Sequence, residues 1–413
     1  MKKTILISLI SDQTLPNIQL IKEVKVINND CDYLMITTES MEKKGIVNHI
    51  VDATGIDNVN RTIVSHDSYI DIKEAISQYD FSDYDKIIVN ITGGTKMMEL
   101  AVFDWFKEND KAEIYYIPGN NKSLEYYQLR PTNQKHKFTQ SSSLKEYLTG
   151  YGFRIQETES SGISKEQTKI IFEKYCDGVF DTHKEDLILL RNFRNRNISN
   201  ENYNKLHNFL IDIDYTPKEE GKLNSLEINY LTGEWFEEYI GSIVKSDLNL
   251  SDNEILVGAK IYSNSETKEL NSIKSLIDVE PKQNQVENEI DVMFIYNNSL
   301  YVIECKTSII NIIKVQKEKK DKNGNIILET KEKIQNILGE TIYKSDALKT
   351  KFGLFAKSYI FTLTDFKEYI RNSAYPQNNE RSMIVNINRA EVSKIKLIDK
   401  QQILQAKNIQ DLL

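Results

Sequence analysis

Two carboxylates and a lysine lie on one face of a segment whose pattern predicts a β-hairpin. The segment is rich in apolar residues and contains Asn297 followed by Asn298, a pair that favours a tight turn between antiparallel strands. With those two residues as the turn, Asp291 lies opposite Glu304, and the alternation of side chains places Lys306 on the same face. The hairpin therefore predicts a compact group of two anions and one cation.

Apolar residues occupy the rest of both predicted faces. The face of the charged group continues with Met293, Ile295, Leu300 and Val302, and the opposite face carries Val292, Phe294, Ile303 and Cys305. Both faces can therefore supply core, and the charged group comes at the end of apolar strands.

This group suits a divalent metal and a phosphodiester. Mg²⁺ and Mn²⁺ prefer carboxylate oxygens, and a bound metal lowers the pKa of water and neutralises charge on a phosphate. A neighbouring lysine can orient the water or stabilise the developing charge. Asp291 and Glu304 are the candidate metal ligands, together with the backbone carbonyl of Cys305, whose side chain is predicted to point into the core. The alternative is a cross-strand salt bridge on a solvated face, and the spacing does not choose between Mn²⁺ and Mg²⁺.

The hairpin resembles the core of the PD-(D/E)xK nucleases, with Asp291 as the first carboxylate and Glu304-Cys305-Lys306 as the ExK motif. Members of that superfamily carry a glutamate on the helix before the hairpin. Glu237, within an amphipathic segment at residues 231–240, is our candidate for that position. Glu234 and Glu238 are alternatives. For each of the three, the non-functional alternative is a solvated glutamate on an amphipathic helix.

Length and composition set the broad class of protein. A chain of 413 residues, with 28% charged residues and a net charge of −8, predicts two or more globular domains without a wholly basic nucleic-acid surface. No apolar run is long enough to span a membrane. The apolar start at residues 4–10 is followed by Ser11-Asp12-Gln13 instead of a cleavage site, so we expect a buried first strand and a cytoplasmic protein.

Cysteine and histidine usage narrows the chemistry further. The three cysteines (Cys31, Cys176 and Cys305) are far apart and form no CxxC pair, which argues against a zinc site and a disulfide framework. Histidine does not occur after His207, so no histidine base or histidine zinc site is built within the C-terminal half.

Apolar runs and helical patterns alternate in the first part of the chain. The runs at 5–10, 33–37, 86–91 and 112–117 predict strands, and the patterns at 17–26, 70–79 and 97–106 predict helices. Nearly continuous apolar strands with intervening helices are typical of a parallel, doubly wound sheet. Ligands of such sheets bind beyond the carboxyl ends of the strands.

Two polar loops follow strands at that predicted edge. The first contains Ser11, Asp12 and Gln13, and the second contains Thr92, Gly93, Gly94, Thr95, Lys96 and Met97 immediately before a helix. Glycines permit a close approach of the backbone, and the N–H groups of the helix N-terminus, the hydroxyls and the lysine can donate hydrogen bonds to phosphate oxygens. The second loop lacks the GxxxxGK spacing of a Walker A motif, and an ordinary glycine-containing turn is the alternative.

Together the two loops resemble the CARF domain, a Rossmann-like sensor of cyclic oligoadenylates in CRISPR-associated proteins. With the PD-(D/E)xK core, the chain looks like the CARF nucleases of type III CRISPR antiviral defence. The resemblance implies a homodimer, with cyclic tetra-adenylate bound across its two-fold axis by Ser11, Asp12, Gln13 and residues 92–97. It implies a CARF domain at residues 1–150, a helical linker at 151–225 and a restriction-endonuclease-like α/β domain at 226–413.

The function implied is a metal-dependent endonuclease, activated by cyclic oligoadenylate, that cleaves single-stranded RNA, single-stranded DNA or both. A ligand-responsive nucleic-acid-binding regulator without nuclease activity is the alternative. A sensor that hydrolyses its own ligand is a third possibility, because Thr92, Thr95 and Lys96 are chemically able to assist such a reaction.

Several further segments carry weaker signals. Arg191, Arg194 and Arg196 are interpreted as a solvated helix end rather than a nucleic-acid contact. The RxxxxH spacing of Arg61 and His66, typical of HEPN ribonucleases, is interpreted as chance.

The region after the ExK motif is predicted to continue the nuclease core. The lysine-rich region at 314–333 contains an Asn-Gly-Asn turn that suggests an extra hairpin. Residues 334–349 predict a helix, on which Lys344 resembles a family position near the active site, and residues 357–363 predict a strand.

Overall fold

A computed structural model describes residues 3–28, 30–118, 124–156, 162–263, 288–320, 326–354, 356–371 and 376–413. Residues 157–161 of the predicted linker at 151–225 fall outside the described residues, and so do the side chains of the lysine-rich region at 314–333.

The N-terminal part forms a seven-stranded sheet with the order β3-β2-β1-β4-β5-β6-β7. Its strands are β1 (Thr4–Leu9), β2 (Cys31–Thr37), β3 (Val59–Ile63), β4 (Lys86–Asn90), β5 (Ala112–Tyr116), β6 (Glu125–Arg130) and β7 (Gln134–Lys137). Its helices are α1 (Leu15–Ile27), α2 (Glu39–Lys43), α3 (Ile46–Thr54), α4 (Tyr69–Ser77) and α5 (Lys96–Phe106).

This sheet confirms the predicted doubly wound arrangement and extends it. Strands β1 to β5 are parallel, and the central strand β1 is buried along its whole length, because helices cover both faces. Strands β6 and β7 were not predicted and are antiparallel, so the sheet is mostly rather than wholly parallel. The described helices α2 and α3 and the strand β3 were also not predicted. The short polar elements α2 and β3 give weak periodicity, whereas α3 has an amphipathic pattern, with Ile46, Val47 and Ile50 buried, that the prediction overlooked.

The second sheet has six strands in the order β17-β16-β13-β12-β11-β8. They are β8 (Phe153–Gln156), β11 (Ile255–Ser263), β12 (Asn288–Tyr296), β13 (Ser299–Lys306), β16 (Ala356–Thr362) and β17 (Ile395–Ile398). The antiparallel pair β12–β13 confirms the predicted hairpin: Tyr296 pairs with Ser299, and the register continues to Val292 opposite Ile303. Asn297 and Asn298 both have positive φ, 49° and 54°, as a type I′ turn requires.

Helices lie along the chain between these sheets and after the hairpin. Those before it are α6 (Leu144–Gly150), α7 (Lys165–Cys176), α8 (Val179–Thr182), α9 (Lys184–Asn192), α10 (Asn200–Asp212), α11 (Ser225–Asn229), a π-helix (Tyr230–Glu234) and α12 (Trp235–Asp247), with the two-residue strands β9 (Ile198–Ser199) and β10 (Lys222–Leu223) between them. Those after it are α13 (Leu338–Lys351), α14 (Phe366–Arg371), α15 (Pro376–Val392), α16 (Lys400–Gln405) and a 3₁₀ turn (Ile409–Asp411).

The helices α7 to α12 share one apolar core with the second sheet. Phe172, Leu210 and Trp235 from the helices belong to the same buried cluster as Phe294 and Ile303 from the hairpin. The region expected to link two domains thus contributes to the core of the second one, and β8 forms that sheet's edge. The boundaries at residues 150 and 225 stay a prediction.

The two strands of the hairpin suggested by the Asn-Gly-Asn turn are present in the backbone, and the turn itself lies outside the described residues. Strand β14 (Ile310–Lys320) pairs antiparallel with β15 (Ile326–Asn336), from Ile310 opposite Asn336 to Lys320 opposite Ile326. The prediction of a helix from residue 334 is wrong at its start, because 334–336 belong to β15 and α13 begins at Leu338. No helix within the described residues has the length and apolar character to cross a membrane.

Candidate active site and ligand cavity

Lys306 lies between the two carboxylates of the hairpin. Its Nζ is 2.7 Å from Oε1 of Glu304 and 3.6 Å from Oδ2 of Asp291. Asp291 also accepts a hydrogen bond from the backbone N–H of Cys305 at 2.6 Å. The Asp291 and Glu304 side chains are only 8% and 7% exposed, so a solvated salt bridge does not describe this group.

The two faces of the hairpin are divided as predicted. Met293, Ile295, Leu300 and Val302 lie in one apolar cluster, and Val292, Phe294, Ile303 and Cys305 lie in another. The Cys305 side chain is therefore in the core, and its backbone carbonyl, 3.3 Å from the Lys306 ammonium, faces the charged group.

Burial and repulsion perturb the titration of this group. Burial, and then the charge of Glu304, raise the pKa of Asp291, and Lys306 and the Cys305 N–H oppose this only in part. Burial lowers the pKa of Lys306, but the charges of Asp291 and Glu304 outweigh it and the pKa is raised. Burial therefore disfavours the ionised form of Asp291, and a bound cation would stabilise that form, so this low-dielectric site is an environment that suits a cation.

Helix α12 brings Glu237 to the same place. Burial, and then the charge of Asp291, raise the pKa of Glu237, while Lys306 lowers it. The pKa of Glu234 is also raised, first by burial. Arg194 lowers this pKa and Glu289 raises it. Glu237 is thus electrostatically coupled to Asp291 and Lys306, whereas Glu234 is coupled to Glu289 at the start of β12; the catalytic role of Glu237 stays a prediction.

Lys344 completes the group from the other side. It lies on α13, and its Nζ donates to Oε1 and Oε2 of Glu304 at 3.2 and 3.4 Å and to the backbone carbonyl of Glu289 at 3.4 Å. Glu304 is therefore held by two lysines, one from its own strand and one from the helix.

The charged group offers a small set of oxygen ligands for a hard divalent cation. Asp291 and Glu304 supply two carboxylates and Cys305 a carbonyl, a small set that suits Mg²⁺ or Mn²⁺ because these ions keep several waters. Among the described residues, no three or more His, Cys, Asp or Glu side chains are clustered as metal ligands. A dedicated all-protein cage is therefore not what these residues provide.

A cavity of about 1130 Å³ opens at the carboxyl ends of the N-terminal strands. Four loops meet there, following β1, β2, β3 and β4. Its lining includes Ser11, Asp12, Gly94 and Thr95 among the residues expected to bind ligand. Its position agrees with the rule for parallel sheets.

The second loop is built for a close approach to the first. Gly93 has φ +123°, and a Cβ there would come within 2.6 Å of the Leu9 carbonyl oxygen and 3.3 Å of the Ser11 Oγ. Thr95 caps α5 by accepting from the Met98 N–H at 3.3 Å, and Thr92 accepts from the Ile117 N–H at 2.6 Å. These hydroxyls fix the loop, while the Lys96 and Met97 side chains are exposed.

Sequence reasoning missed the other half of the cavity wall. Residues 38–41, 43–44 and 63–66 line it, and Lys44 forms an ion pair with Asp12 at 2.7 Å. These residues follow β2 and β3, and their position after parallel strands could have indicated that they line the cavity. Strand β3 was not predicted, so this signal was missed. His66 is among these residues, whereas Arg61 pairs with Glu42 at 3.1 Å, which leaves the RxxxxH spacing without a shared site.

Gln13 lies away from the cavity and contacts the second domain instead. Its Oε1 accepts hydrogen bonds from the Tyr151 hydroxyl at 3.2 Å and the Leu354 N–H at 2.9 Å. Nearby, the Tyr147 hydroxyl donates to the Phe352 carbonyl at 2.9 Å. The expected ligand-binding role of Gln13 is thus not supported by where its side chain points.

A comparison of the sequence with known protein families gives a match for the part of the chain that forms this sheet and cavity. Residues 5–147 match the family model of the Card1 CARF domain. The N-terminal domain is a CARF domain. No curated protein matches the chain in sequence.

Solved structures extend the similarity to the fold of the whole chain. Protein VC1899 from Vibrio cholerae has a TM-score of 0.65 and 16% identity, over 97% of this chain and 95% of that one. Can2 from Sulfobacillus thermosulfidooxidans, solved in complex with cyclic tetra-adenylate, has a TM-score of 0.63 and 19% identity, over 97% of this chain and 98% of that one. The predicted fold class, a CARF domain followed by a second α/β domain, is confirmed.

Proposed function

We propose that this chain is a metal-dependent nuclease of type III CRISPR defence, controlled by a cyclic oligoadenylate bound at the CARF domain. The observation that carries the proposal is the buried group of Asp291, Glu304 and Lys306 in a chain with the fold of Can2. A purely structural hairpin would have no reason to bury two carboxylates together, because each costs free energy to desolvate.

The residues of the hairpin would divide the chemistry between them. Asp291, Glu304 and the Cys305 carbonyl would hold Mn²⁺ or Mg²⁺, which when bound activates water and neutralises phosphate charge. Lys306, fixed between the carboxylates, would orient the attacking water or stabilise charge on the phosphate oxygens. Glu237, whose pKa is raised, would be a proton-carrying group at the edge of the site.

The CARF cavity would take cyclic tetra-adenylate, the ligand bound by Can2. Phosphates suit the N-terminus of α5, where the Thr92–Lys96 loop supplies N–H groups and hydroxyls. A two-fold symmetric ring suits a symmetric homodimer, in which each subunit holds half of the ligand. Met97 and Leu100 on α5 are 37% and 60% exposed beside this loop and offer apolar area for such an interface.

A continuous set of contacts joins the cavity to the active site. Ser11 and Asp12 line the cavity, and the next residue, Gln13, holds the backbone at Leu354. That backbone follows the end of α13, the helix whose Lys344 binds Glu304. Ligand-induced movement of the first loop would therefore shift α13 and change the Lys344–Glu304 contact, a population shift between two arrangements.

Cleavage by the purified full-length protein tests the proposal. Single-stranded RNA, single-stranded DNA and supercoiled plasmid would be incubated with Mn²⁺ or Mg²⁺, with and without cyclic tetra-adenylate. We expect ligand-dependent cleavage that falls by roughly 100-fold or more in Lys306→Ala, because a positioned electrostatic group is removed. Lys396→Ala is the matched control, since Lys396 is an exposed lysine on β17 of the same sheet.

Two results would contradict the proposal. Cleavage that survives unchanged in Lys306→Ala and Glu304→Ala would place the chemistry elsewhere. Ligand binding without cleavage in either metal would favour a regulator that binds nucleic acid.

A further inference from the structure

A second cavity, of about 960 Å³, adjoins the hairpin between the helical region and the second sheet. Its walls include Arg194, Asn195 and Asn229 from the helical region and Lys260 and Glu289 from the sheet. Glu237 is also part of its lining, so the cavity reaches the candidate active site. We call this cavity the cleft.

Arg194 is held in place by its neighbour. The loop after α9 turns at Asn195, which has φ 62°, and the Asn195 N–H donates to Oδ1 of Asn229 at 3.1 Å. In return, Nδ2 of Asn229 donates to Oδ1 of Asn195 at 3.0 Å. The reciprocal pair fixes the loop onto α11 and so sets the position from which Arg194 enters the cleft.

Lys260 enters the cleft from the opposite wall. It lies on β11 directly opposite Glu289 of β12, two residues before Asp291. Arg194 and Lys260 both lie close enough to Glu234 to lower its pKa, which burial and neighbouring carboxylates raise. Two cations from distant parts of the chain therefore converge on one point beside Glu237. Among the described residues, neither forms an ion pair within 4 Å.

The chemistry of the cleft points to a phosphodiester backbone as its ligand. Guanidinium and ammonium groups are the side chains that contact phosphate oxygens, and the side-chain amides of Asn229 and Gln156 supply further donors. Aromatic residues are absent from its described lining, which removes the stacking platforms that recognise bases. Carboxylates also line the cleft and slightly outnumber its cations: Glu234, Glu237, Glu238, Asp252 and Glu289 stand against Lys165, Arg194, Lys245 and Lys260. The cleft therefore does not attract every polyanion, and binding should need the metal.

We propose that the cleft binds the backbone of the nucleic-acid substrate, with Arg194 and Lys260 as positioning residues that hold the phosphates next to the scissile one. This inference rests on the proposed nuclease function. It assigns Arg194 a role that Arg191 and Arg196 do not share, since all three arginines are exposed but only Arg194 lines the cleft.

Binding of fluorescently labelled oligonucleotides to the full-length protein, with saturating cyclic tetra-adenylate and Ca²⁺ in place of Mn²⁺, tests this. The arms are single-stranded RNA, single-stranded DNA and duplex DNA, each titrated at several salt concentrations. We expect Arg194→Ala and Lys260→Ala each to weaken binding by roughly 5- to 10-fold and to reduce the salt slope by about 1. Arg194→Lys, which keeps the charge, should lose less.

Arg196→Ala is the matched control, because it removes an arginine two residues away that lies outside the cleft. In cleavage assays with Mn²⁺, Arg194→Ala should raise KM and leave kcat within about twofold, as expected for a group that binds substrate and transition state equally.

The proposal is overturned if Arg194→Ala binds all three nucleic acids within twofold of the unmodified protein, or if Arg196→Ala loses as much. Absence of any binding by the unmodified protein overturns it as well. Arg194-dependent binding without cleavage in Mn²⁺ would support the cleft and contradict the nuclease function, which keeps the two proposals distinguishable.

Discussion

Replacing Gln13 by alanine should uncouple the two sites of this protein. The substitution removes one acceptor that serves two donors, the Tyr151 hydroxyl and the Leu354 N–H. A neutral hydrogen bond contributes about 0.5–1.5 kcal/mol net, so the contact is worth about 1–3 kcal/mol. Coupling free energies of that size correspond to a factor of about 5–150.

The assay compares cleavage rates at saturating and zero cyclic tetra-adenylate, and ligand affinity by calorimetry. We expect the activation ratio in Gln13→Ala to fall by a factor within that range. Ligand affinity should change by less than about twofold, because Gln13 does not line the cavity. Gln13→Glu is the matched control, since its carboxylate keeps an acceptor for both donors.

Reciprocity supplies a second readout that needs no cleavage. If the ligand promotes substrate binding, substrate must promote ligand binding by the same factor, and Gln13→Ala should reduce both equally. Full activation in Gln13→Ala would refute the coupling role. A loss of ligand affinity of tenfold or more would instead restore Gln13 as the ligand-binding residue that the family resemblance implies.

Two further substitutions test the stability of the fold by urea unfolding. Burial lowers the pKa of His183, but its two aspartate partners outweigh it and the pKa is raised, so the stability that His183→Ala removes should be largest below pH ~6.5 and decrease as pH rises through the folded pKa; a difference independent of pH would contradict this. Gly353→Ala should cost about 2–4 kcal/mol, because φ is +81° and the new Cβ would lie 2.4 Å from the Tyr151 ring. Gly55→Ala, with φ +58° and nothing within 4 Å, should cost clearly less.

The parts of the fold with strong local signals were predictable. Strands β1, β2 and β4 are mostly buried runs of apolar residues, and β5 alternates buried and less buried residues; the structure places each of the four within two residues of its predicted bounds. The hairpin register followed from the turn. With Asn297 and Asn298 as its two turn residues, Tyr296 must pair with Ser299, and this pairing fixes the partners along both strands. The short polar strands β6 and β7 carry no such period, and their pairing depends on neighbours far away in the sequence.

The candidate active site likewise contains residues that the sequence could place together and residues that only the tertiary structure brings near them. Asp291, Glu304 and Lys306 are within 16 residues of one another in a single hairpin, so local geometry brings them together. Lys344 and Glu237 come from separate helices, and their distance from the hairpin depends on how those helices pack. The sequence offered three glutamates for the helix position; packing places Glu237 near Asp291 and Lys306, and the choice among the three stays a prediction.

What the sequence by itself determined is the identity of the chemical groups and the local elements that carry them: a hairpin with facing charges, and loops at the ends of parallel strands. Tertiary structure alone decided which loop side chains face the cavity, that Gln13 turns to the second domain, and that Arg194 reaches a cleft while Arg191 and Arg196 do not. The physical reason is range. Turn geometry and strand alternation act between residues close in sequence, whereas these contacts join residues from 34 to 341 positions apart.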